Sequence, residues 1–255
     1  MTVLKKTIVT IISVFAVLFC LVSVVLPRHK ADLYSLLYPQ NVSVEKSETV
    51  KKIELKKGNF FVLGAFYGED IVWEVIDDEV NPLAWSLNAI CFRAFDESSS
   101  DWATSDLKIW LNDETENGFL CDKNFCETQR DLILKTDGEK IFLLSKNQLQ
   151  KFLESKRTKA PTVSAIANDG SNKLVIRRNC WYWTSSPIET NSSSVTAVTQ
   201  TGGFYKTLSS DTLVGVCPAF YLNENVVYTC GGDGSKEKPY VIDTVEFGEE
   251  HNGIK

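Results

Sequence analysis

Trp181-Tyr182-Trp183-Thr184-Ser185-Ser186-Pro187, followed later by Gly215-Val216-Cys217-Pro218-Ala219-Phe220-Tyr221-Leu222, decides the fold class. Both are β-branched or aromatic runs closed by turn residues, with a Ser/Thr/Gly-rich span between them, so both read as strands. Upstream, Phe60 to Tyr67, Asp70 to Ile76 and Leu83 to Cys91 are similar runs, punctuated by Gly68, Asp77-Asp78 and Asn81-Pro82. They predict a three-stranded meander.

Helix signals occupy the middle of the chain. Thr104 or Ser105 can cap a segment in which Leu107, Trp110 and Leu111 share one face. A second helix is predicted over 127–134, a strand from Lys140 to Leu144, and a third helix capped by Ser145 with Leu149, Phe152 and Leu153 on its apolar side. A polar loop follows. Strands then return at Cys180 to Thr184, Val195 to Thr199, Phe204 to Thr207, Val214 to Leu222 and Val226 to Tyr228. Strands, helices, then strands make an α+β domain.

The N-terminus carries a different signal. Lys5 and Lys6 precede Thr7 to Leu26, twenty residues without a charge. A helix of that length spans a bilayer core of roughly 30 Å. The run exceeds the apolar region of a cleaved signal, and Leu26-Pro27-Arg28-His29-Lys30 has no small-residue cleavage site, so an uncleaved anchor is expected and a secreted product is the alternative. Basic residues flank both ends. The short tail and the lack of a second apolar span favour the tail inside and the domain outside.

The expected organisation is therefore a tail at 1–6, a transmembrane anchor at 7–26, a stalk at 27–51, an extracytoplasmic domain at 52–246 and a tail at 247–255. A net charge of −6 argues against a nucleic-acid partner, because neutralising phosphates needs clustered Lys and Arg. Outside the apolar run stand Cys91, Cys121, Cys126, Cys180, Cys217 and Cys230. An exported domain with an even cysteine count permits disulfides among them, and isolated buried thiols are the other reading.

Catalytic chemistry is poorly served. The two histidines, His29 and His251, lie outside the expected core, which disfavours Ser-His-Asp, Cys-His and histidine-rich zinc sites. Acidic runs at Asp77-Asp78-Glu79, Asp96-Glu97 and Asp113-Glu114 read as solvated turns, with carboxylate hydrolysis or a Ca²⁺ loop as alternatives. Gly231-Gly232-Asp233-Gly234 lacks the Gly-Lys-Ser/Thr of a phosphate loop.

The ordered motifs resemble an uncharacterised family of bacterial extracytoplasmic domains. They are Val72-Trp73-Glu74-Val75, Trp102-Ala103-Thr104-Ser105-Asp106-Leu107-Lys108-Ile109-Trp110-Leu111-Asn112, Ile141 to Ser145, the two aromatic strands, and Gly232 to Ile242. That family is distantly similar to the fold of formylglycine-generating enzymes and C-type lectins, which implies an irregular α+β domain with long loops. The resemblance makes Trp73, Trp110, Trp181 and Trp183 packing residues, and leaves Trp85 and Trp102 as the candidates for stacking on a glycan. The family pattern implies arginines where this chain has Ser185 and Cys217, so no anion-binding role carries over. Cys121 and Cys126 are the pair to weigh against the copper-binding cysteines of the enzymes, although they sit mid-domain. Trp110-Leu111-Asn112-Asp113 faintly resembles a lectin calcium motif. The function this implies is a membrane-anchored, non-catalytic domain binding a glycan, wall component or surface protein. A thiol oxidoreductase, a carboxylate hydrolase and a structural envelope protein are the alternatives.

Overall fold

The computed structural model describes residues 30–40, 42–47, 49–170, 178–223 and 226–242. Helices and sheets are mixed along the chain in an α+β arrangement built on two large sheets. The expected anchor at 7–26, the tails at 1–6 and 247–255, and both histidines lie outside the described residues. Among those described, no helix is long and apolar enough to cross a membrane.

The first sheet grows from the expected meander. Strands β2 (Phe60–Phe66), β3 (Glu69–Asp77) and β4 (Leu83–Ser86) pair antiparallel in sequence order. Tyr67 and Gly68 turn the first hairpin with φ of 50° and 77°. Two successive positive φ values match strand twist, and glycine supplies one without strain. β12 (Pro218–Leu222) joins β4, and β6 (Ile133–Leu134) and β7 (Phe142–Leu143) lie end to end along its other edge. β14 (Tyr240–Val241) adds parallel to β2 and completes seven strands.

The second sheet runs β10 (Phe204–Leu208), β9 (Asn191–Val198), β8 (Tyr182–Ile188), β11 (Gly215–Val216), β5 (Cys91–Phe92). The segment expected as one strand from Val214 to Leu222 is therefore two: β11 belongs to one sheet, β12 to the other, and Cys217 alone separates them. The same division splits the expected Leu83-to-Cys91 strand into β4 and β5. Val216 pairs with Cys91 and Ala219 with Trp85, so the chain crosses between sheets twice, side by side.

The aromatic strands fill the core between these crossings. Trp73 and Trp183 are fully buried, and their indole N–H groups donate to Leu63 O and Arg93 O, each at 2.8 Å. Trp110 donates to Asn117 O at 3.1 Å, and half-buried Trp181 donates to Gln200 Oε1. Each ring thus buries a large area while its one polar atom is satisfied.

Helices are shorter than the sequence implies. α2 (Asp106–Asn112) forms as expected, with Ser105 Oγ accepting from Lys108 N and Leu107, Trp110 and Leu111 buried. The helix expected over 127–134 stops as α3 (Glu127–Asp131), because β12 captures Ile133 and Leu134 as a strand. Ser145 caps only the four residues of α4 (Lys146–Leu149), and Leu153, expected on an apolar face, is 75% exposed ahead of α5 (Glu154–Arg157). The expected polar loop holds α6 (Val163–Ala167).

The stretch expected as a stalk packs on the body. α1 (Lys30–Leu37) lies against α6: Lys30 pairs with Asp169, and the buried Tyr34 hydroxyl donates to Arg178 O at 3.0 Å. Ser43 N donates to Glu237 O and Ser47 N to Cys230 O. β1 (Lys51–Glu54) then pairs with β13 (Val226–Thr229), and Lys51 and Lys52, on opposite faces of the strand, are both exposed.

Candidate functional site

Two places concentrate polar side chains against the core: a sealed centre at the sheet crossing, and an open cleft beside β3. The sealed one is built on residues 159–162. Lys159 to Thr162 thread between the sheets, with Cys180 N donating to Lys159 O at 2.9 Å, Ala89 N to Ala160 O at 2.9 Å and Thr162 N to Ala89 O at 3.0 Å. This extended passage carries the Lys159 side chain inward until it is 3% exposed.

There its ammonium lies 3.4 Å from the centre of the Trp85 ring and donates to Ser86 O at 2.6 Å. Ser86 ends β4, where the chain leaves its sheet. Lys159 thus supplies a charged donor to a buried carbonyl at the crossing. Burial lowers the Lys159 ammonium to about 8, against the opposing pull of Cys217 and Glu74. Burial likewise pushes the thiols of Cys217 and Cys91 up to about 12 and raises Cys180 well above its ordinary value. These thiols are protonated and inert at neutral pH, since the thiolate is the reactive form. The Ser86 hydroxyl has no partner at hydrogen-bond geometry, yet it lies near enough to Cys217 to favour that thiol's ionised form.

This centre removes Trp85 as a stacking residue. Trp85 is 2% exposed, Lys159 covers one face, and Phe152 and Tyr182 pack at 6.2 and 6.0 Å between ring centres. Trp102 is half-buried: its N–H donates to Glu139 at 3.2 Å, Lys108 pairs with the same carboxylate at 3.3 Å, and the ring leans on Phe95. The two tryptophans do not form one ligand face.

The disulfide expectation is likewise corrected: Cys91, Cys121, Cys126, Cys180, Cys217 and Cys230 are all free. Cys121 is buried and Cys126 exposed, because the chain turns between them and Cys126 begins α3. Among the described residues no three His, Cys, Asp or Glu converge as metal ligands. The oxygens considered for calcium serve the chain's own donors. Asn112 Oδ1 accepts from Lys140 N and Ile141 N, and Asp113 from Thr115 N and Oγ1.

Acidic turns are used the same way. Burial would raise Asp96, but the N–H groups of Ser98, Ser99 and Asp106 outweigh it and hold the carboxyl below its ordinary value. Asp78 accepts from Lys57 N, and Asp233 is lowered by the hydroxyl and N–H of Ser235. Such carboxylates shape loops rather than face one another across a cleft.

The open site is a cleft of about 210 Å³ between the extended segment after α1 and the β3 strand. Gln40, Val42 and Val44 form one wall, Glu69 to Val72 the other, with Asn88, Ile90 and Thr162 lining the remainder. Alternation along β3 buries Ile71 and leaves Asp70 exposed. Glu69 Oε2 accepts from Ser164 N, and Thr162 caps α6 through Ala165 N, so the rim is tied to the helix start. Asn88 is held by Ala160 O at 3.1 Å. The result is an aliphatic floor under carboxylates, amides and a hydroxyl, with no basic residue in the lining.

Sequence reasoning missed both places. Lys159 stands in a run with Lys156, Arg157 and Thr158 that has the composition of a surface loop. The cleft needs Gln40, Val42 and Val44 set against β3, and nothing local to those residues specifies that partner.

No curated protein and no solved structure matches the chain. A family model described as a domain of unknown function, DUF6273, matches residues 87–224, which begin just after β4 and end just past β12 and so include the whole second sheet and Lys159, but not Trp85 and Ser86. That is more than half of the 255 residues, and the chain belongs to the DUF6273 family.

Proposed function

We propose that the protein is a non-catalytic binding domain, of irregular lectin-like α+β construction, held at the outer face of a bacterial membrane by residues 7–26. Its ligand is a glycan or other wall component, taken in the cleft between β3 and the wall formed by Gln40, Val42 and Val44. The observation that carries the reading is the cleft's chemistry. Glu69, Asp70, Asn88, Gln40 and Thr162 offer acceptors and donors suited to hydroxyls, above the apolar surface of Val72 and Ile71. Binding sites are commonly such concave, mostly apolar surfaces with a few placed polar groups.

Further support comes from where the reactive groups lie. The thiols of Cys91, Cys180 and Cys217 are sealed and protonated, and the acidic turns are spent on loop geometry. A binding role needs neither. The test is calorimetry of the full chain in nanodiscs against soluble peptidoglycan fragments. Binding that weakens about tenfold or more in Val44→Trp, which fills the cleft, supports the reading. No heat with any fragment, or heat unchanged by that substitution, contradicts it.

A further inference from the structure

We propose that the exposed leucines at the end of α1, Leu36 and Leu37, insert into the bilayer surface and fix the orientation of the domain on the membrane. The inference rests on residues 7–26 being the anchor, and adds a second, reversible contact to it. α1 buries Lys30 and Tyr34, four residues apart on one side, against α6. Leu36, on the side away from Tyr34, is 78% exposed, and Leu37, at the end of the helix, is 47% exposed, although both are residues a folded domain normally covers. The half-buried Tyr38 follows directly, its ring tilted by 56° against that of buried Tyr34 at 5.3 Å between centres. Leucines beside a tyrosine are a composition favoured where protein meets the headgroup region.

The occupant follows from where the chain goes next. The charge-free run ends at Leu26, and α1 starts at Lys30. Four peptide steps reach at most about 14 Å, and Leu36 stands about 9 Å along the helix from Lys30. The two leucines are thus tethered close to the point where an anchor would leave the bilayer. α1 cannot swing freely on that tether, because Lys30 is paired with Asp169 and Tyr34 Oη is held by Arg178 O.

Docked this way, the cleft opens close to the membrane, since Gln40 lines it three residues after Leu37. The test uses the full chain in phosphatidylcholine nanodiscs, with the photo-cross-linker p-benzoylphenylalanine placed at Leu36 or, as a control, at Val80, which is 88% exposed. Both positions are solvent-facing, so neither probe disturbs the core. Lipid adducts about tenfold more abundant from position 36 than from position 80 support the inference. Equal adducts at the two positions, or chain-to-chain cross-links from position 36 that point to a second copy, overturn it while leaving the anchor intact. Release of the unmodified chain from membranes by alkaline carbonate would instead remove the anchor, and this contact with it.

Discussion

The Lys159 ammonium sits 3.4 Å from the centre of the Trp85 ring, inside the protein and bonded to the carbonyl of Ser86. A buried cation is costly unless something replaces its water. Here an indole face and a backbone oxygen do so at the point where β4 leaves its sheet. Lys159 therefore acts as a staple between the two sheets.

The staple makes stability depend on pH. Burial holds folded Lys159 at about 8 against 10.5 when exposed, so above pH 8 the folded chain has released a proton that the unfolded chain keeps. For Lys159 alone that raises stability with pH, by about 1 kcal/mol between pH 8 and 9. The buried thiols act against it over the same window, because Cys91, Cys180 and Cys217 stay protonated in the fold while their unfolded thiols ionise. Denaturant unfolding at pH 8 and 9 should therefore show Lys159→Met losing stability relative to the native chain across the window, by about 1 kcal/mol. An identical pH change in the two proteins excludes Lys159 as a contributor.

Thiol reactivity should follow burial. Among the six domain cysteines, Cys126 reacts rapidly with an aromatic disulfide reagent in the native protein and Cys230 more slowly. Cys91, Cys121, Cys180 and Cys217 react only after denaturation. Unfolding without reductant should expose all six, and any that stay blocked would reveal a disulfide.

Gly215 is a packing requirement of the second sheet. A Cβ there would lie 2.8 Å from Ala89 Cβ and 3.0 Å from Trp181 O, where β11 meets β8. Gly215→Ala should cost about 1–3 kcal/mol through overpacking. Unfolding midpoints measure it, and an unchanged midpoint means the crossing is looser than its geometry.

Docking of α1 should contribute to stability of the whole domain. Tyr34→Phe removes a hydroxyl that donates to Arg178 O and should cost about 1 kcal/mol. Tyr34→Ala also empties a fully buried site and should cost about 3–5 kcal/mol, by analogy with other large aromatic truncations. If both variants unfold like the native chain, α1 is a separate stalk after all.

Much of this fold was legible because its signals are local. Ser105 caps α2 three residues before its bonded amide, and the aromatic strands β8 and β12 declare themselves by composition. What escaped depends on distant partners. Ile133 and Leu134 become a strand only because β12 offers an edge, and Tyr34 finds its acceptors 127 and 144 residues away. Trp85 looked available for a ligand because its neighbours in sequence are polar or small. Lys159, 74 positions on, occupies its face. The same long-range folding assembles the cleft, whose walls come from Gln40, Val42 and Val44 on one side and β3 on the other.

The binding reading stands most directly on one measurement: amide shift mapping of the isotopically labelled chain titrated with soluble peptidoglycan fragments. Saturable shifts should cluster at Val44, Asp70, Asn88 and Thr162, with Trp102 and its loop unmoved. Shifts centred on Trp102, or none that saturate, would contradict the cleft as the ligand site.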